Sequence, residues 1–425
     1  MGAVVAGAGR HGLARTLFLT GAGMAALALA GWGWSAASRS GTPAPVVHDA
    51  ARPVAIAAAS VPPGTIDYQA LDARFRRLAG EKEIAGFAVG IVEGGEIRFL
   101  QGYGETIEGS GDPVTPDTVF RWASLSKGVA GSMVARLADQ QKVSLSAPVA
   151  RYSATLRLPA GAEQRATVAD LLSHQLGIFS HAEDGKLEDG ADPRVLRAGL
   201  AHLNLICAPG QCHAYQNVAY DAASDVVEKA TGRSYQAAVT EQLFAPLGMT
   251  SATMTRDGLV TARSWARPHV GGLPKATEVL EPYYRVPAAG GVNSSIKDLA
   301  LWMQAQMGLR GAVLSPGALA MAQTPFARTP GELGRMRKFR ERLGSADYGL
   351  GWRLYDYAGH RIVAHRGGVK GYRSLIMFDP VLKTGVVALW NSSTARPGAI
   401  EYEVMDMAYR LPPKDWLELD KAAVG

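Results

Sequence analysis

Cysteine is nearly absent, with two residues in 425, too few for a disulfide-built scaffold or a thiolate metal cage. No aspartate or glutamate occurs before Asp49. That gap disposes of the glycine pattern "GAGRHG" at 7–12, because a dinucleotide fingerprint needs a strand before it and an acidic residue ~20 positions on to hold a ribose. The G-x-S-x-G turn and the H-E-x-x-H helix are both missing, and the nine histidines show no paired metal spacing. No metal and no organic cofactor is therefore expected. Charge is modest at 19% of residues, and the net +6 is spread thinly except in "GRMRKFRERLG" (334–344), with five basic residues and one acidic. This run reads as a solvated helix face, and no nucleic-acid-binding motif accompanies it.

What is present begins at the N-terminus. Arg10 and Arg15 precede the apolar run "TLFLTGAGMAALALAGWGW" (16–34), and the small residues "SAAS" (35–38) follow. Residues 1–37 read as a signal peptide cleaved after Ala37 or as an uncleaved anchor, since the run approaches the ~20 apolar residues that span a bilayer. The rest of the chain is then expected outside the cytoplasm, periplasmic or held at the membrane through 16–34. Residues 38–65, rich in proline, alanine and serine, read as a linker. In an oxidising compartment Cys207 and Cys212, which flank a Pro-Gly turn in "ICAPGQCHAYQN", are expected to pair. So short a loop stabilises little by entropy, and its use would be to hold the segment leading into Tyr215.

Periodicity places the rest. Residues 66–79 repeat as a helix, and "FAVGIVEGGEIRFLQGYG" (87–104) reads as two strands about Gly94-Gly95. Short helices and loops fill the middle, for example "AYDAASDVVEKATG" (219–232), closed by glycine. "SSIKDLALWMQAQMG" (294–308) opens with Ser295 three residues before Asp298, a capping-box spacing. Strand signals return at 359–368, 372–379 and 384–392, and a helix follows at 398–410. The expected class is α+β: one domain over 66–412, with 66–132 and 286–412 building an antiparallel sheet flanked by helices and 133–285 an all-α region beside it.

The chemistry centres on "FRWASLSKGVAG" (120–131), which holds Ser124 three residues before Lys127 and no acidic residue. On a helix, positions three apart share a face with Cβ atoms ~5–6 Å apart. A serine hydroxyl becomes a nucleophile when a base takes its proton, and an amine in apolar surroundings suits that task. S-x-x-K alone occurs by chance in many chains, so it needs partners. "AYQN" supplies Tyr215, Gln216 and Asn217, and "AHRGG" supplies His365, Arg366, Gly367 and Gly368. Lys383-Thr384-Gly385 follows Asp379-Pro380, and turn signals explain all of its residues, so it reads as hairpin chemistry.

With these motifs in this order, the chain resembles the penicillin-recognising serine hydrolases: class C β-lactamases, DD-peptidases and related esterases and D-aminopeptidases, which carry S-x-x-K, Y-x-N and K-T-G or H-x-G. The likeness spans about 66–395 and includes "LLSHQLGI" (171–178), "PLGMTSATM" (246–254), "AAGGVNSSIKDLA" (288–300) and "YGLGW" (348–352). A histidine stands where the lactamases have lysine, and a glutamine stands inside Y-x-N. The resemblance implies a β-lactamase/transpeptidase-like fold. Ser124 would be the acylated nucleophile, with Lys127 and Tyr215 beside it, either of them the base. Asn217, His365 and Gly367 would orient the substrate, and the backbone N–H groups of Ser124 and Gly368 would form the oxyanion hole. His365 would change charge within the working pH range and meet a substrate carboxylate as a cation. The implied function is an exported hydrolase that forms an acyl-enzyme on Ser124 and acts on D-amino peptide, ester or β-lactam acyl groups, with a small molecule or peptide as substrate. The other reading is a catalytically silent penicillin- or wall-fragment-binding protein on the same fold.

Overall fold

Gly94 and Gly95 turn the chain at φ of +59° and +91°, a region open to glycine, and join β1 (Gly86–Glu93) to β2 (Glu96–Gly104). The protein is seen here as a computed structural model that describes residues 64–420. The expected export segment, its membrane attachment and nearly all of the linker lie outside the described residues. Among the described residues no helix is long and apolar enough to cross a membrane.

Ten further strands follow: β3 (Val119–Arg121), β4 (His269–Val270), β5 (Lys275–Ala276), β6 (Asn293–Ser295), β7 (Ala327–Arg328), β8 (Leu343–Tyr348), β9 (Arg353–Tyr357), β10 (His360–Val369), β11 (Tyr372–Asp379) and β12 (Thr384–Trp390). Eight of the twelve strands form one antiparallel sheet in the order β2-β1-β12-β11-β10-β9-β8-β7, while β3 pairs with β6 and β4 with β5. Between 140 and 285 the chain is short helices and turns apart from the two-residue strands β4 and β5.

Strand alternation sorts side chains onto two faces. Val89 and Ile91 of β1, Leu375 and Met377 of β11 and Val386 of β12 point to a back face, where helix α1 (Tyr68–Ala79) and the helix Ile400–Ala408 cover them with Leu71, Phe75, Tyr402 and Met405. Ile376, Phe378, Val387 and Leu389 point to the front face, onto helix α2 (Ser126–Asp139), the helix Ile296–Gln306 and the helical region. On β10 the same rule puts Val363, His365 and Gly367 to the front and Ala364 and Arg366 to the back.

Several expectations change. Short strand β3, which the sequence pattern did not mark, pairs with β6 just ahead of Ser124. The basic stretch 334–344 is not a helix face. It runs from a helix ending at Arg335 through a 3₁₀ turn, Arg337–Phe339, into β8, with Phe339 stacked on Tyr402 at 3.7 Å between ring centroids and Arg342 paired with Asp406 at 2.9 Å. Packing also continues past 412, since Trp416 and Leu417 are buried and Trp416 Nε1–H donates to Asp406 Oδ2 at 2.8 Å. Ser295 does cap its helix by accepting from Asp298 N at 3.3 Å, but the Asp298 carboxylate accepts from Ser251 instead, so half of the capping box is missing.

Candidate active site

The turn that carries Ser124 is a 3₁₀ turn, Ala123–Leu125, running straight into α2. Ala123 sits at φ +49°, a conformation that a side chain disfavours and the surroundings must hold. They do so with hydrogen bonds. Trp122 N–H donates to Val292 O at 2.8 Å, Ser126 Oγ–H donates to Ala123 O at 2.7 Å, and Ser374 Oγ–H donates to Trp122 O at 2.6 Å. Gly367 on β10 lies against this turn so closely that a Cβ there would collide with Trp122 O and Ser374 Oγ and press on Ser124 N. Glycine is thus what lets the strand reach the nucleophile candidate. Gly368, next along, is exposed.

Lys127 is wholly buried one turn on. Its Nζ lies 3.4 Å from Ser124 Oγ, 2.6 Å from Asn217 Oδ1 and 2.9 Å from Ala289 O. The last two atoms can only accept, so two N–H bonds are committed and the third direction of the nitrogen faces the serine. No carboxylate pairs with Lys127 among the described residues. Asn217 is fixed from behind, its Nδ2–H donating to Asp184 Oδ2 at 2.7 Å, and the same oxygen meets His181 Nδ1 at 2.8 Å. Tyr215 lays its ring 4.7 Å from Lys127 Nζ and 4.3 Å from the His174 ring, and its hydroxyl has no hydrogen-bond partner among the described residues. Cys207 and Cys212 are joined in a disulfide, and Ala214 N–H donates to His174 O at 2.8 Å, which anchors the entry to Tyr215. Gln216 points away, with Nε2–H on Phe179 O at 2.6 Å, so the glutamine inside Y-x-N supports a loop and leaves the site unobstructed.

His365 lies on the front face but behind the site, and here the pH expectation fails. Its Nδ1 meets Arg366 O, an acceptor, at 2.8 Å, so Nδ1 carries the hydrogen, and Nε2 accepts from Tyr348 Oη at 3.0 Å. Tyr348 in turn accepts at 3.2 Å from His174 Nε2, while His174 Nδ1 takes the Gln216 N–H at 3.1 Å. Burial, then the charges of Arg353 and Lys127, hold His365 well below the ordinary imidazole range, so it stays neutral and does not switch charge at working pH. His174 is lowered in the same way, burial first. Lys383 is remote. It stands at φ +53° in the β11–β12 turn with Nζ on Met307 O, and Asp379 beside that turn is five residues, ~17 Å, along β11 from Ser374.

Ser124, Lys127, Asn217, Tyr215 and Gly367 therefore converge, and His365 stands behind them, two residues before Gly367 on β10. The residues the sequence reading missed are Asp184, His174 and Tyr348. The latter two lie inside the quoted stretches "LLSHQLGI" and "YGLGW", where a buried histidine and tyrosine were the available signal; Asp184 gave none. Among the described residues no cluster of three or more potential metal ligands occurs.

Known proteins resemble this chain. The family model described as Beta-lactamase matches residues 71–407. The chain is 27% identical over 390 residues to an unguisins hydrolase of Aspergillus violaceofuscus, covering 82% of this chain and 67% of that protein. It is 30% identical over 244 residues to the esterase EstB of Burkholderia gladioli, covering 53% of this chain and 60% of the esterase. The chain thus spans about two thirds or less of these two relatives. A penicillin-binding protein homologue from Pyrococcus abyssi, solved as an octamer, superposes with a TM-score of 0.73 at 24% identity, over 83% of this chain and 80% of that one, which is a likeness of fold. The turn at Ser124, the antiparallel sheet beside it and the match over most of its length agree: the chain belongs to the Beta-lactamase family and is a serine hydrolase of that family.

Proposed function

We propose that the protein is an exported acyl hydrolase in which Ser124 is the nucleophile, acting on D-amino peptide or ester substrates in preference to β-lactams. The observation that carries this reading is the buried Lys127 Nζ, held by Asn217 Oδ1 and Ala289 O with its remaining direction on Ser124 Oγ at 3.4 Å. In the proposed cycle the neutral amine form of Lys127 accepts the Ser124 proton as Oγ forms a bond to the acyl carbon. The backbone N–H groups of Ser124 and Gly368 receive the oxyanion, the Tyr215 hydroxyl passes a proton to the departing amine or alcohol, and Tyr215 then takes up the proton that Lys127 received from Ser124. Water then cleaves the acyl-serine ester and restores the free hydroxyl. Neutral His365 supports the substrate preference, because the third motif offers no permanent cation for a β-lactam carboxylate. Export rests on the sequence of residues 1–37 alone.

The test is incubation with a labelled penicillin and with an activated ester, followed by peptide mass spectrometry. The expected result is an adduct on Ser124, accumulating with the penicillin and turning over with the ester. An adduct elsewhere, or none from a folded protein, overturns the reading and leaves a silent binding protein.

A further inference from the structure

A cleft of about 360 Å³ opens beside Gly368 and is bounded by Arg121, Leu280, Tyr283, Glu188 and Lys370. Arg121 is three residues before Ser124 and 3% exposed. Its Nη1 and Nη2 donate only to the backbone oxygens of Leu280 and Gly290, at 3.3 and 3.4 Å, and its guanidinium lies 4.0 Å from the centre of the Tyr284 ring. Its Nε is buried with no partner. No carboxylate pairs with it among the described residues, although a buried guanidinium ordinarily has one. The cleft adjoins the reacting centre, since Gly368 lies on its wall and the carbonyl next to Gly290 O, that of Ala289, holds Lys127.

We propose that this cleft is a subsite for a carboxylate borne by the substrate, with Arg121 as the anion-binding group at its closed end and Lys370 adding positive charge at its open end. The proposal rests on the acyl-hydrolase reading and deepens it by naming a substrate class. A planar guanidinium already oriented by two backbone carbonyls and an aromatic ring presents its remaining donors in the geometry that a carboxylate accepts. Ordering it costs nothing further when the ligand arrives. The usual cation of the third motif is missing here, because His365 is neutral and Lys383 is remote. Arg121 and Lys370 are the cations that line this cleft and can meet an anionic group there. Glu188, on the rim, accepts from Tyr283 Oη at 2.8 Å and opposes anion entry. This sets the sign of its own variant.

The experiment uses the full chain carrying Ser124→Ala, so that binding is read without turnover. Two probes of equal size, glutaric acid monoanilide and glutaramide anilide, are titrated calorimetrically at low ionic strength. The anionic probe is expected to bind at least ten-fold more tightly. Lys370→Glu should cut that ratio at least three-fold, Glu188→Gln should raise it two-fold or more, and Arg121→Gln should bring it near one if that variant folds. Equal affinity for the two probes overturns the proposal, as does a ratio unmoved by both Lys370→Glu and Glu188→Gln. The Ser124 adduct experiment is independent of all these outcomes, so the subsite can fail while the acyl-hydrolase reading stands, and the reverse.

Discussion

The two faces of the large sheet handle buried charge in opposite ways. On the back face cations are matched: Arg366 with Glu401, Arg74 with Glu403, Arg342 with Asp406, and Arg396 with Glu81 and Glu83. On the front face Arg353 has Glu332 and Arg197 has Asp221, but Lys127 and Arg121 meet neutral groups and no carboxylate among the described residues. A matched pair is electrically quiet, and removing one member strands the other. A cation held by neutral acceptors keeps its field available to whatever enters. The back face therefore reads as scaffold and the front face as chemistry, and substitutions can separate the two.

The largest expected effect is on the front. Lys127→Met should lower kcat/KM by about 10³-fold while changing unfolding free energy by less than ~2 kcal/mol, because it strands two neutral acceptors and no charge. Ester turnover and chemical denaturation check the two halves. Next, Arg366→Met on the back leaves the Glu401 carboxylate, 1% exposed and already pushed up by burial, without its partner. It should cost about 3–5 kcal/mol of stability while the folded fraction keeps its activity. Unaltered denaturation would break the comparison.

The third effect depends on pH. Burial depresses His174 and His365 well below 6.5 and brings His213 to about 4, so between pH 6.5 and 4 the unfolded chain binds protons that the folded one refuses. Stability from these groups is complete above pH 6.5 and is lost as pH falls through that window, His213 alone accounting for about 3 kcal/mol. Denaturation at pH 7 and pH 4.5 should show the drop, and His213→Asn should flatten it. A smaller effect is expected at Asp184. Alanine there frees the Asn217 amide to rotate and should cost about ten-fold in kcat/KM, whereas Asp184→Asn, which keeps an acceptor, should retain most of the activity. The smallest is Lys383→Ala, expected to leave turnover within about two-fold, and a large loss would return Lys383 to the site.

The parts of this molecule legible in the sequence were those set by local rules. Alternation in β1, β10, β11 and β12 and the Gly94-Gly95 turn placed the sheet, and alternation alone put Arg366 opposite the site. Strands β7, β8 and β9 escaped because they are short and lie among charged and glycine residues, so no period could build up. Ser124, Lys127 and Asn217 were legible because spacing and order carry them. Asp184 was not, since its role depends on a fold that brings position 184 behind position 217. The charge state of His365 was misread for a related reason: a sequence shows the imidazole but not the burial and the Tyr348 hydroxyl that keep it neutral.

The pairing of β1 with β12 has a consequence for synthesis. Phe87 lies opposite Trp390 and Val92 opposite Gly385, so the inner edge of the first hairpin finds its neighbour about 300 residues later in the chain. At ~5–20 residues per second, a ribosome needs roughly 15–60 s to bridge that interval. Throughout it a strand whose eight residues are all buried in the finished protein has an open edge and two uncovered apolar faces, the condition that invites pairing with the wrong chain. The sheet cannot close before β12 has been made, so a holding factor has that whole interval in which to act.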